Sequence, residues 1–161
     1  MNTLLARCAR PFPSLSPDWA AIPLRLIVGF GFMQHGYAKL AHGSDKFVGI
    51  VHALHVPMPW MMAWATILVE VLGGAAVLAG FLIPLASVPM TAVLLVAIFT
   101  VHLPNGFSSI KLQAVTDAGA HFGQPGYETD LLYLAALVAL VILGSGPFAL
   151  DRVASARLRN R

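Results

Sequence analysis

The chain has 161 residues, 58% hydrophobic and 11% charged, with a mean hydropathy of +0.77 and a formal net charge of +3. Soluble globular domains carry about 25% charged residues, so this composition excludes a water-soluble fold. The excess positive charge sits on two short tails and makes no groove or face, which argues against nucleic acid as a partner.

The first 18 residues carry Arg7 and Arg10. They do not read as a cleaved leader, because Pro11, Pro13, Pro17 and Asp18 intervene and Arg25 interrupts the apolar run that follows. Cys8 is the single cysteine, so neither an intrachain disulfide nor a Cys-x-x-Cys redox pair exists. A first span is expected over Trp19–Ala41 and a second over Trp60–Leu82, the latter preceded by Pro57 and Pro59, where a missing amide costs least. Val71 to Ile110 contains no Lys, Arg, Asp or Glu. It exceeds the roughly 20 residues that cross a bilayer, so a third span follows over Leu85–Leu103 after the turn signal "GFLIP". Pro89 is a kink position within it. A fourth is expected over Asp130–Leu150, charge-free between its bounding aspartates. The fold class is therefore all-α, a transmembrane four-helix bundle over 19–151 with outer loops at about 42–59 and 104–128.

Lys and Arg near the helix ends set the orientation. Arg7, Arg10, Arg152, Arg157, Arg159 and Arg161 lie on one side, against Lys39, Lys46 and Lys111 on the other. Both termini are thereby assigned to the cytoplasm, with 152–161 a basic tail able to rest on anionic headgroups of the lipid bilayer. Trp19, Trp60, Trp64, Tyr127 and Tyr133 fall at interfacial depths. In the first outer loop, Phe47, Ile50, Val51 and Leu54 recur at helical spacing, which predicts a short helix lying on the membrane surface. The stretch from Pro104 to Tyr127 is long enough to fold over the mouth of the bundle.

The apolar spans carry charges that need an explanation. Arg25, Gly29, Phe32, Gly36 and Lys39 share one face of the first span, with His35 beside it. Glu70 lies near the middle of the second span. Ionisable groups at such depth face a bundle interior or a water-filled cavity. Glu70 has Arg25 on its inner side and His35 and Lys39 on its outer side as possible partners. His102 and Glu128 reach the same outer layer from the third and fourth spans. Arg25, His35, Lys39, Glu70, His102 and Glu128 are the ligand-binding candidates, with Glu70 and His35 the candidates for proton handling. Two readings stay open: an ion pair that fixes helix packing, and a site for a polar ligand head. His42, His52 and His55 lack the carboxylate or thiol that would complete a metal set. Gly29-Phe-Gly-Phe32 is not a dinucleotide fingerprint, having neither a preceding strand nor the third glycine.

In order along the chain, "RLIVGFGFMQHGYAKL", "VPMPW", "EVLGGAAVLAGF", "VHLPNGF", "GYE" and "GSGPFALD" together resemble the DoxX family of small four-helix membrane proteins, over roughly Pro23 to Asp151. Arg25, His35, Gly36, Lys39, Glu70, Gly73, Gly74, Gly80, Gly126, Glu128 and Asp151 match its pattern. The family is named for a subunit of a thiosulfate–quinone oxidoreductase. The resemblance therefore implies a multi-pass protein of the bacterial plasma (inner) membrane, and a subunit of a quinone-handling oxidoreductase system linked to sulfur-compound oxidation. Quinone is the ligand so implied. The chain has no haem, iron–sulfur or flavin motif, so redox chemistry would require a protein partner. The alternative is a non-catalytic scaffold or accessory protein, alone or as a homo-oligomer, whose buried charges lock the bundle. An open slot beside His35 and Glu70 favours the first reading, and a closed Arg25–Glu70 pair favours the second.

Overall fold

The computed structural model describes residues 16–159; Arg7, Cys8, Arg10, Pro11, Pro13 and Arg161 lie outside them. A 3-10 turn, Pro17–Ala20, leads into α1, Ala21–Ala41. Gly43, at φ 101°, turns the chain into α2, Ser44–Ala53, the short helix expected in the first outer loop. Next comes α3, Pro59–Ala79, opened by a proline in its first turn. It ends at Gly80, whose φ of 68° supplies the left-handed residue. The Phe81 amide donates to Ala76 O and the Gly80 amide to Val77 O, the bonding of a Schellman cap. After that turn α4, Ile83–Asn105, runs back. A two-stranded antiparallel hairpin follows, β1 (Leu112–Thr116) and β2 (Gly119–Phe122). The chain closes with α5, Glu128–Leu143, and α6, Leu150–Arg159.

Among the described residues, α3 and α4 are each long and apolar enough to cross a membrane. Helix α1 packs on α3 and α5, and α4 packs on the same two, so the four long helices share one core. That core is built from Val28, Phe32, Val77, Ile83, Met90, Leu94, Leu137 and Leu140. Contact between α1 and α3 is close because glycines face each other. A Cβ on Gly29 would fall 2.7 Å from Gly74 O, and one on Gly36 would fall 2.6 Å from Val71 Cγ2. Small residues that let backbones approach are how helices associate where lipid removes the hydrophobic drive. Outside the core, large apolar side chains such as Leu26, Phe30, Leu72, Leu85, Phe99 and Ile142 stay exposed. Exposure on this scale exceeds what a soluble monomer tolerates.

Three features depart from the sequence expectation. The region after α4 is not purely helical, since the loop between α4 and α5 folds as a hairpin. The fourth helix stops at Leu143 rather than Leu150, because Gly144 (φ 79°), Gly146 (φ 68°) and Phe148 (φ 55°) all take the left-handed region. At 1.5 Å per residue its sixteen residues cover about 24 Å. Lastly, the basic tail begins as a helix.

Both ends of the described chain meet at the end of the molecule that also holds the α3–α4 turn. Arg152 pairs with Asp18. The Asp151 carboxylate accepts from the Leu82 amide at 3.0 Å, and the Asp151 amide donates to Gly80 O at 3.2 Å. The opposite end carries α2 and the hairpin.

Candidate functional site

Helices α3 and α4 each contain one π-helical turn, Val69–Gly73 and Ile98–His102. A π turn inserts a residue into the helical ladder and re-aims the side chains around it, and such turns concentrate at functional sites. Here the first carries Glu70 and the second ends on His102. Both residues line one cavity of about 670 Å³, within the size range of ligand pockets. Helix α1 contributes Phe32, His35 and Lys39 to its wall, and α5 contributes Asp130 and Tyr133. From the end opposite the termini, α2 adds Phe47 and Val51, and Leu54 follows just after it. Most of the remaining surface is aliphatic.

The polar groups form two pairs. Lys39 Nζ donates to both carboxylate oxygens of Glu70, each at 2.7 Å. Its ammonium also lies 5.0 Å from the centre of the Phe47 ring, within cation–π range. The Glu70 side chain is 7% exposed and that of Lys39 22%. The second pair is His102 Nδ1 with Asp130 Oδ2 at 2.5 Å. A carboxylate on one ring nitrogen fixes the orientation of the imidazole and leaves Nε2 for another partner. Tyr133 stands edge-on to Phe32, with ring centres 5.5 Å apart, and its ring centre is 6.5 Å from that of His35. It can approach α1 so closely because position 31 is glycine; any Cβ there would overlap its hydroxyl. His35 is exposed on the cavity wall.

The expected residues thus divide. His35, Lys39, Glu70 and His102 converge on the cavity. Arg25 does not meet Glu70: its guanidinium donates to Val77 O and Leu78 O at the end of α3, and to Ser145 O and Pro147 O after α5, at 2.8–3.2 Å. That places Arg25 at the terminal end, where it gathers carbonyls from the last turn of α3 and from the loop after α5. The Glu128 carboxylate accepts from the Ser109 amide at 2.9 Å and secures the start of α5 to the preceding loop. Asp130 is the residue that sequence reasoning passed over. It marks a span boundary in the sequence, and only the fold shows that it turns inward to His102. Tyr133, interfacial by its place in the sequence, contributes to the cavity wall. Among the described residues no group of three His, Cys, Asp or Glu gathers at one point.

Comparison with known proteins agrees with the membrane reading. The chain is 28% identical over 158 residues to the uncharacterized membrane protein Rv3486 of Mycobacterium tuberculosis, covering 89% of this chain and 93% of that protein. No solved structure matches. The DoxX family profile matches residues 20–103, just over half of the chain and including α1, α3 and most of α4. The protein is a membrane protein of the DoxX family.

Proposed function

We propose that the chain is a four-span protein of the bacterial plasma membrane that binds a quinone in the outer-end cavity, as the quinone-handling subunit of a membrane oxidoreductase system. In this reading residues 19–151 form the membrane domain, with outer loops at about 42–59 and 104–128. Both termini, including the tail 152–161, face the cytoplasm. The pairing of Asp18 with Arg152 supports a common side for the termini, and the distribution of Lys and Arg supports that side being cytoplasmic.

The observation that carries the reading is the open slot beside His35 and Glu70, with Glu70 paired to Lys39 rather than sealed against Arg25. A quinone needs an apolar slot with donors aimed at its carbonyl oxygens. Lys39 Nζ, His35 and His102 Nε2 can supply such contacts, and Glu70 can exchange a proton with a bound ring. Each basic group of the two pairs already has a carboxylate partner. The walls therefore carry little net charge, which suits an uncharged ring better than an ionic headgroup. Electron transfer to or from the ring belongs to a partner protein.

The test is organic extraction of gently solubilised protein, with bound quinone quantified by mass spectrometry beside folded His35→Ala and Glu70→Gln variants. Near-stoichiometric quinone that is lost in both variants supports the reading. Trace quinone, equal in all three, refutes it and leaves a scaffold whose charges lock the bundle.

A further inference from the structure

We propose that the ligand enters sideways from the bilayer, through a window between α3 and α4, and that its hydrocarbon tail stays in that window. The inference rests on the quinone reading above and adds a route and a ligand class: a ring dissolved in the membrane on a hydrocarbon tail, not a solute arriving from water.

The window is defined by residues in the middle of α3 and α4 that line the cavity and are also exposed; His35, Ile50, Val101, Pro125 and Thr129 are exposed elsewhere on the wall, toward the end that carries α2 and the hairpin. Ala65 on α3 and Pro89, Ala92 and Val96 on α4 meet both conditions. The last three recur at i, i+3 and i+7, so they form one stripe of α4. All four are apolar, and the two alanines project only a methyl group. Pro89 also lacks the amide that would complete the ladder to Leu85 O, which loosens α4 at that edge of the opening.

Depth decides what lies outside. Counted from Ile83, Pro89 to Val96 stand about 9 to 20 Å along α4 at 1.5 Å per residue. That is the middle of a helix long enough to cross the bilayer. The surface around the window is apolar as well: Leu68, Leu72, Leu85 and Val88 are 51–70% exposed. An opening at that depth faces lipid tails. A polar solute would have to cross hydrocarbon to reach it, whereas a tailed ring is already there. Only the ring then needs to be enclosed, because lipid is as good an environment for the tail as the cavity wall.

The experiment uses the full chain reconstituted in liposomes with a long-chain isoprenoid quinone, recording quinone bound per protein over time. Ala92→Trp fills the window and leaves every polar cavity group in place. Leu95→Trp places the same side chain at an exposed position of α4 outside the cavity. Ala65→Trp obstructs from the other helix if Ala92→Trp does not fold. Blocking the window should slow loading at least about tenfold, with Leu95→Trp matching the wild type. Wild-type loading rates in folded window variants overturn the portal and leave the quinone reading standing. A wild type that takes up no quinone overturns both.

Discussion

Replacing Arg25 by leucine removes a side chain that ties the end of α3 to the chain after α5. The guanidinium makes four hydrogen bonds to backbone carbonyls, and the residue is 7% exposed. Interhelical hydrogen bonds in bilayers average about 0.6 kcal/mol each, and bonds to charged groups in proteins reach about 1.5 kcal/mol or more. Four together come to roughly 2–6 kcal/mol. At about 3 °C per kcal/mol for a chain of this size, the thermal midpoint in mild detergent should fall on the order of 10 °C. Lysine should recover part of the loss, since an ammonium has three donors for four acceptors. Hydrogen exchange adds a local readout, in which the Leu82 and Asp151 amides should lose protection before the core of α3. An Arg25→Leu protein with an unchanged midpoint and unchanged exchange would refute the carbonyl tie.

The other predictions concern the cavity, the α1–α3 contact and the topology. Lys39→Met leaves the buried Glu70 carboxylate without its cation and should destabilise more than Glu70→Gln. The double variant should recover part of the loss, with a coupling of about 1–3 kcal/mol by thermal unfolding. Asp130→Ala should lower bound quinone as much as His102→Ala does in the extraction assay. Glu128→Ala should leave bound quinone unchanged, because that carboxylate holds the Ser109 amide outside the cavity. Gly29→Val places a side chain against the backbone of α3 and should cost about 1–3 kcal/mol or prevent folding, visible as loss of the monodisperse peak in detergent. On a Cys8→Ser background, Ala118→Cys should react with an impermeant maleimide in intact cells, and Ser155→Cys only after permeabilisation.

Much of this architecture is legible in the sequence because lipid imposes a simple rule. Long charge-free runs and the GFLIP turn locate α3 and α4 within a few residues, and the helical spacing of Phe47, Ile50, Val51 and Leu54 reveals α2. The end of α5 is obscured by that same rule. Residues 144–150 contain no charge, so the apolar run continues past the left-handed residues Gly144, Gly146 and Phe148 that stop the helix. The hairpin goes unread because its strands have five and four residues and no strong alternation. Within the site, depth alone brings His35, Lys39, Glu70 and His102 to a shared layer. Depth also admits Arg25 as a partner for Glu70. Choosing between Lys39 and Arg25 requires helix rotation and the position of free carbonyls, and a side-chain pattern encodes neither. Asp130 shows the same gap: its partner is 28 residues away and meets it through a π turn with no sequence signature.

The most direct test of the central claim is photolabelling in native membranes with a quinone that carries an azide on its ring, followed by peptide mapping. The cavity account predicts label on Phe32–Lys39 of α1 and on Ile98–His102 of α4, competed away by unlabelled quinone. Label confined to the lipid-facing surface, or unaffected by competition, would contradict it.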